Sequence, residues 1–279
     1  MQRGYVVRIF SVSNQKGGVG KTTTAVNLAA CFAAAERSTL LIDLDPQGNA
    51  CSGLGLNKQN YPKNIYHVLL GEVSLTDIIV PTEFEFLHVV PSNSDLVAAD
   101  LELVSRFSRE MKLKNAIKSI ENEFEFVIID CPPSLNLLTV NSLTAADAVI
   151  VPVQCEYYAL EGLSELLKTI ELIRDNLNPR LEIEGILLTM FDARNNLSHQ
   201  VAQEIKKYFP EKVFNSIIPR NVKLSESPSH GKPILLYDIK SKGSVSYLDF
   251  SKQLLERYQG NKNVHNLNSV QNINAAMAS

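Results

Sequence analysis

The sequence predicts an α/β fold, a single domain with a mostly parallel, twisted sheet and helices on both faces. Three observations predict it. Residues 6–12, 39–43, 126–130 and 147–153 form short runs that are apolar at consecutive positions, as strands buried on both faces are. Segments with a helical apolar period lie between such runs. The first run feeds a glycine-rich turn and two others end in an aspartate, at the strand ends where open α/β sheets gather their ligands.

The composition bounds the answer further. At 279 residues and 45% hydrophobic, the chain can bury one substantial core, and one domain over residues 1–259 is expected. The apolar stretch 145–153 is broken by Asp147 and Pro152 and is strand-sized, so no membrane span is expected. A strand begins within ten residues of Met1, without a signal peptide's apolar region, which points to a cytoplasmic protein. Cys31, Cys51, Cys131 and Cys155 are widely spaced and form no zinc pattern, as core thiols would be. The net charge is −3, but the cations are local: residues 194–242 hold 9 Lys/Arg against 4 Asp/Glu, whereas residues 1–179 hold 14 against 21.

The stretch Gln15-Lys16-Gly17-Gly18-Val19-Gly20-Lys21-Thr22-Thr23-Thr24 follows the first strand and opens a helix over residues 23–35. A strand, a glycine turn and a helix start place backbone N–H groups and a positive helix end around a polyphosphate. Gly20-Lys21-Thr22 closes a phosphate-loop pattern, although Gln15 stands where its first glycine belongs. Lys21 is placed to reach the β/γ-phosphates and Thr22 to offer its hydroxyl to Mg²⁺, with Gly17, Gly18, Val19, Gly20 and Thr23 completing a nucleotide-binding loop. The run 39–43 ends at Asp43, and Asp45-Pro46-Gln47-Gly48 turns after it; two residues apart on extended chain, Asp43 and Asp45 share a side. Phe126-Val127-Ile128-Ile129-Asp130 is the Walker B arrangement, whose carboxylate accepts from the water shell of Mg²⁺.

Between residues 57 and 125, short helices are expected over 65–71, 75–79, 96–103 and 111–120, and a strand over 86–90. The run 147–153 is a further strand, followed by a helix opening at Gln154 and reaching about Asn176, then a strand over 183–190 and a helix carrying Lys206 and Lys207. A final helix is expected over 244–258. Beyond Gly260 the chain is rich in Asn, Ser, Gln and Ala and is expected to be disordered.

The string K-G-G-x-G-K-T-T resembles the deviant Walker A motif of the ParA/MinD superfamily of P-loop ATPases. L-I-D-L-D-P-Q-G-N is similar to the switch I segment of ParA-like proteins, I-I-D-C-P-P-S to their switch II entry, and V-Q-C-E-Y-Y-A-L-E-G and I-P-R-N-V-K-L-S-E-S-P-S-H-G-K-P to the ParA/Soj chromosome-partitioning branch. The resemblance spans roughly residues 6–258.

It implies an ATPase using ATP and Mg²⁺, slow alone and stimulated by a ParB-type centromere-binding partner, that forms a homodimer around two nucleotides. It also implies that Lys16 contacts the phosphates of the other subunit, that Asp45 positions or activates the attacking water with Asp43 supporting the magnesium, and that Pro219 and Asn221 line the adenine pocket. Arg194, Arg220, Lys223, Lys240 and Lys242 match basic residues that bind double-stranded DNA non-specifically, placing the protein on the nucleoid. Lys223 stands where arginine is common in relatives, so its contact would be a point charge.

Clustered cations gain by counterion release on a duplex; few interleaved aromatics argue against single-strand stacking. With so short an N-terminus, the DNA-reading domain of some plasmid relatives, and with it sequence-specific operator binding, is not expected. Two other readings stay open. One is a ParA-like positioning ATPase for cell division or another cargo, although the basic amphipathic tail of MinD-like membrane binders is missing here. The other is an ATPase of the nitrogenase iron-protein type, for which Cys131 sits in a suitable loop but a second cluster ligand is not evident.

Overall fold

A computed structural model describes residues 7–258. The expected disordered tail, 260–279, lies outside the described residues.

Eight strands form one sheet in the order β3-β4-β2-β5-β1-β6-β7-β8. They are β1 (Arg8–Val12), β2 (Thr39–Asp43), β3 (Val80–Pro81), β4 (Leu87–Val90), β5 (Phe126–Asp130), β6 (Ala148–Gln154), β7 (Glu182–Phe191) and β8 (Val213–Pro219). All neighbours pair in parallel except the short β3, which runs antiparallel to β4 at one edge.

The consecutive apolar runs are buried on both faces, as expected. Along β2, Leu40 and Ile42 enter one core and Leu41 the other; along β5, Val127 and Ile129 divide from Ile128 in the same way. The period of two sends alternate side chains to opposite sides, so a strand covered on both faces must be apolar throughout.

Helices cover each face. On one side α1 (Lys21–Ala34) packs with α11 (Lys242–Tyr258), joining Ala25, Phe32, Tyr247 and Phe250 to Phe10 and Ile128. On the other lie α3 (Ile65–Leu70), α4 (Leu96–Glu102), α5 (Lys112–Ile117), α6 (Leu137–Ala145), α7 (Ala159–Asn176) and α8 (Asn196–Tyr208), which supply residues such as Leu69, Leu138, Leu166 and Ile205. Three short helices, α2 (Asn49–Gly53), α9 (Val222–Glu226) and α10 (Ile234–Tyr237), sit in connections near the C-terminal strand ends.

The differences from the sequence reading have physical causes. Helix α1 begins two residues early, because Gly20 at φ 87° lets the chain turn directly into it. The segment 111–120 is the six-residue α5 between 3₁₀ turns, and 75–79 is 3₁₀ over Leu75–Ile78. Helix α7 starts at Ala159, since Gln154–Tyr158 is spent on a turn in which the Glu156 N–H donates to the Gln154 carbonyl. Strand β8 carries no clear apolar run, being an edge strand with Asn215 exposed and Phe214, Ser216 and Ile218 buried.

The sheet order positions the site. From β1 the chain leads outward through β5, β2 and β4 on one side and through β6, β7 and β8 on the other. Such a reversal opens a crevice at the carboxyl ends. The register sets Val12 and Asp43 level with Asp130 there.

Candidate nucleotide site and the basic surface beside it

The loop between β1 and α1 is held from three sides. The Asn14 side chain donates to the Pro152 carbonyl at 2.7 Å and accepts from the Lys16 N–H at 3.0 Å. The Thr189 hydroxyl donates to the Val19 carbonyl at 2.8 Å. Gly18 and Gly20 adopt φ 74° and 87°, a left-handed region that glycine enters without strain. No side chain caps α1, which leaves the first N–H groups of a fourteen-residue helix available to an anion at its positive end.

Lys21 is buried, and its amine donates to the Lys16 carbonyl at 2.9 Å, curling back over the loop. Burial lowers its pKa; Asp130, Cys131 and Asp45 pull it back up.

Three buried aspartates lie at the carboxyl ends of β2 and β5 and on the turn after β2. Asp43 accepts from the Asp45 N–H at 3.2 Å and the Cys51 N–H at 3.1 Å, and burial pushes its carboxyl up to about 6. Both carboxylate oxygens of Asp130 are buried without a hydrogen-bond partner inside normal limits. Burial and then Asp43 hold Asp130 well above the ordinary carboxylate range, against the opposing pull of Thr22 and Lys21. Between Asp43 and Asp130, the unpartnered oxygens of Asp130 make it the better-placed cation ligand, while Asp43 ties down the backbone after β2.

Among the described residues no three His, Cys, Asp or Glu side chains converge to chelate an ion by themselves. That suits Mg²⁺, which keeps several waters and takes one or two carboxylates plus substrate phosphates. A carboxylate buried without a partner beside a threonine hydroxyl and a lysine fits such an ion, because a cation offsets the crowded negative charge.

A cavity of about 250 Å³ opens from Gly20 and Thr23 and is walled by Thr189, Met190, Pro219 and Asn221. The Asn221 carboxamide oxygen caps α9 at the Lys223 N–H, 2.8 Å away, so its NH₂ group remains to donate to a ligand. Met190 has φ 49°, an unusual conformation for a non-glycine residue and typical of ligand sites. A larger cavity, about 1320 Å³, lies at the opposite strand ends. There Arg8 and Arg37 are already paired with Glu184 at 3.7 Å and Glu125 at 3.2 Å.

A family model described as an AAA domain matches residues 7–183. The chromosome partitioning protein ParA of Myxococcus xanthus is 57% identical over 258 residues, covering 92% of this chain and 91% of its own. The sporulation initiation inhibitor protein Soj of Bacillus subtilis is 55% identical over 247 residues, covering 88% and 98%. The chain belongs to the ParA/Soj family of chromosome-partitioning ATPases. The solved structure of cobyrinic acid a,c-diamide synthase from Mycobacterium smegmatis with bound ADP and magnesium superposes on this ParA/Soj chain with a TM-score of 0.81 at 38% identity, covering 92% of this chain and 97% of that one.

Lys16 of this ParA/Soj chain is paired within its own chain. Its amine meets Glu156 at 3.2 Å, and Glu156 in turn accepts from the Gln154 side chain at 2.5 Å. The sequence reading missed Glu156 as a partner; its only signal was an acidic residue three positions before the start of α7.

The five basic residues read from the sequence stand on adjoining turns. Arg194 is 88% exposed and forks onto Asp192 with two contacts of 3.0 Å, which pulls Asp192 down to about 2. The Arg220 N–H donates to the Phe191 carbonyl at 3.0 Å, tying the turn after β8 to the one after β7. Lys223 pairs with Glu226 at 3.0 Å and lies over the Tyr237 ring. Lys240 and Lys242 are exposed where α11 begins, against α9 through the close Gly243–Leu224 approach. No helix among the described residues is long and apolar enough to cross a membrane.

Proposed function

We propose that this ParA/Soj ATPase binds ATP·Mg²⁺ at the β1–α1 loop, dimerises around two nucleotides, and in that state binds duplex DNA without sequence preference. Hydrolysis then releases it from DNA, and a ParB-type centromere-binding partner speeds that step, segregating a chromosome or plasmid across the nucleoid. Lys16, Gly17, Gly18, Val19, Gly20, Lys21, Thr22 and Thr23 hold the phosphates, and Pro219 and Asn221 the base. Thr22 and Asp130 hold the metal, with Asp43 and Asp45 behind them, and Asp45 orients the attacking water. The magnesium ion, when bound, supplies neutralisation of the phosphate charge. Lys16 leaves Glu156 to reach the partner's phosphates.

The observation that carries the DNA reading is the continuity of one segment. Pro219, Arg220 and Asn221 wall the small cavity, while Arg220 and Lys223 are exposed on the same turn. Whatever occupies the cavity therefore bears directly on the exposed cations, which Arg194, Lys240 and Lys242 extend.

The test is binding of the Asp45→Ala protein to arbitrary duplex DNA with ADP and with ATP at two salt concentrations. Binding in ATP alone that falls steeply with salt and ignores sequence supports the reading. Equal binding with ADP and ATP, or none with either, refutes it.

A further inference from the structure

We propose that Ser92 is a positioning residue for ATP hydrolysis, a hydroxyl that fixes the backbone of Asp45 and so aims its carboxylate. This rests on the reading that Asp45 acts on the attacking water.

Asp45 lies on a turn of loop, yet its backbone is held on both sides. Its N–H donates to the Asp43 carboxylate at 3.2 Å. Its carbonyl accepts twice, from the Gly48 N–H at 2.9 Å, which closes the turn, and from the Ser92 hydroxyl. Both lone pairs of that carbonyl are thus used. The carboxylate itself accepts from the Gln47 N–H at 2.9 Å. Four groups from four positions constrain one residue, and Ser92 alone comes from a distant segment, the one that follows β4.

Ser92 is suited to this because its own place is rigid. It is 1% exposed and follows β4, whose Val90 pairs with Ile42 of β2. The Pro91 carbonyl before it accepts from the Ile65 N–H at 3.0 Å, at the start of α3. The turn also wraps closely around Ser92. Gly48 has φ 62°, and a Cβ there would stand 2.9 Å from the Ser92 carbonyl oxygen, so only glycine lets the chain pass. On the outer side the Lys58 amine donates to the Gln47 carbonyl at 2.5 Å.

The orientation matters through the peptide that follows Asp45. Its carbonyl direction is the ψ angle of Asp45, and Pro46 already fixes the next φ. With Ser92 in place the residue has one setting; without it the carbonyl keeps the Gly48 N–H but gains freedom to swing. Removing the hydroxyl therefore costs little stability, because no buried group is left wholly unpaired, while the aim of the carboxylate loosens. Loss of aim at a reacting group lowers turnover more than substrate binding.

The experiment measures steady-state ATP hydrolysis with Mg²⁺ and sonicated duplex DNA for the full chain and for Ser92→Ala, Ser92→Cys and Asp45→Ala, with a thermal melt of each. We expect Ser92→Ala to lower kcat about three- to tenfold, with KM for ATP within about twofold and the melt within about 2 °C. Cysteine is a weaker donor of similar shape, so Ser92→Cys falls between, and it keeps the test alive if the alanine variant folds poorly. Wild-type kcat in both Ser92 variants overturns the proposal, as does a loss of kcat matched by a raised KM and a lowered melt. Asp45→Ala inactive beside unaffected Ser92 variants overturns this proposal alone; Asp45→Ala at the wild-type rate overturns the reading of Asp45 with it.

Discussion

 Lys16 and Lys21 stand five positions apart in one loop, yet their surroundings give them different work. Lys21 is buried and folded onto the loop carbonyl at 2.9 Å, so its amine has no other role to fall back on. Lys21→Ala is expected to lower ATP affinity at least about tenfold, as loss of a charge-assisted phosphate contact does; calorimetry showing unchanged affinity would remove it from the site. Lys16 is half-buried and paired with Glu156 at 3.2 Å, a contact exposed enough to exchange for a phosphate. Lys16→Ala is expected to keep ATP but stay monomeric, and a dimer by light scattering in ATP would contradict the cross-subunit role. The loop glycines and Asp130 were legible in the sequence because the motif is contiguous. Glu156 and Met190 were not, since each reaches the site from another strand end.

At the scale of elements, the site depends on how two connections touch. The Gly231 backbone, at φ 63°, passes so close to Gly55 that a Cβ on it would stand 2.6 Å from the Gly55 Cα. Gly71, at φ 79°, has open space around the same position. Both alanine variants carry the left-handed strain of about 1–2 kcal/mol, but only Gly231→Ala adds a backbone collision. Gly231→Ala is therefore expected to melt lower than Gly71→Ala, and equal melts would show that the 231 loop yields freely. The helices and strands themselves were largely visible as apolar periods. Strand β8 was not, because an edge strand buries alternate residues only, and Asn215 and Ser216 break the run.

At the scale of the whole molecule, the cations gather on turns at the carboxyl ends of β7 and β8 and at the start of α11, so charge should govern DNA binding without governing the fold. Arg194→Glu is expected to weaken duplex binding and flatten its salt dependence while the ATP dimer persists. Unchanged DNA affinity would move the surface elsewhere. The Arg194–Asp192 pair is fully exposed on the Arg194 side, and such pairs add little to stability, so the melt should barely change. Asp192 lies below its ordinary pKa, so whatever the pair contributes is present above about pH 4 and fades as the pH falls through about 2.

The sequence by itself determined the alternation of strands and helices, the phosphate loop and the aspartates that end β2 and β5, because each is written in consecutive residues with a period or a contiguous motif. Only the tertiary structure decided that Asp130 is left with unpartnered oxygens, that Ser92 grips Asp45, that Glu156 holds Lys16, and that Met190 joins Pro219 and Asn221 around a cavity. Those are contacts between segments far apart in the chain. They follow from the strand order around β1 and from which groups remain unpaired once the sheet has formed, and no local pattern of residues encodes either.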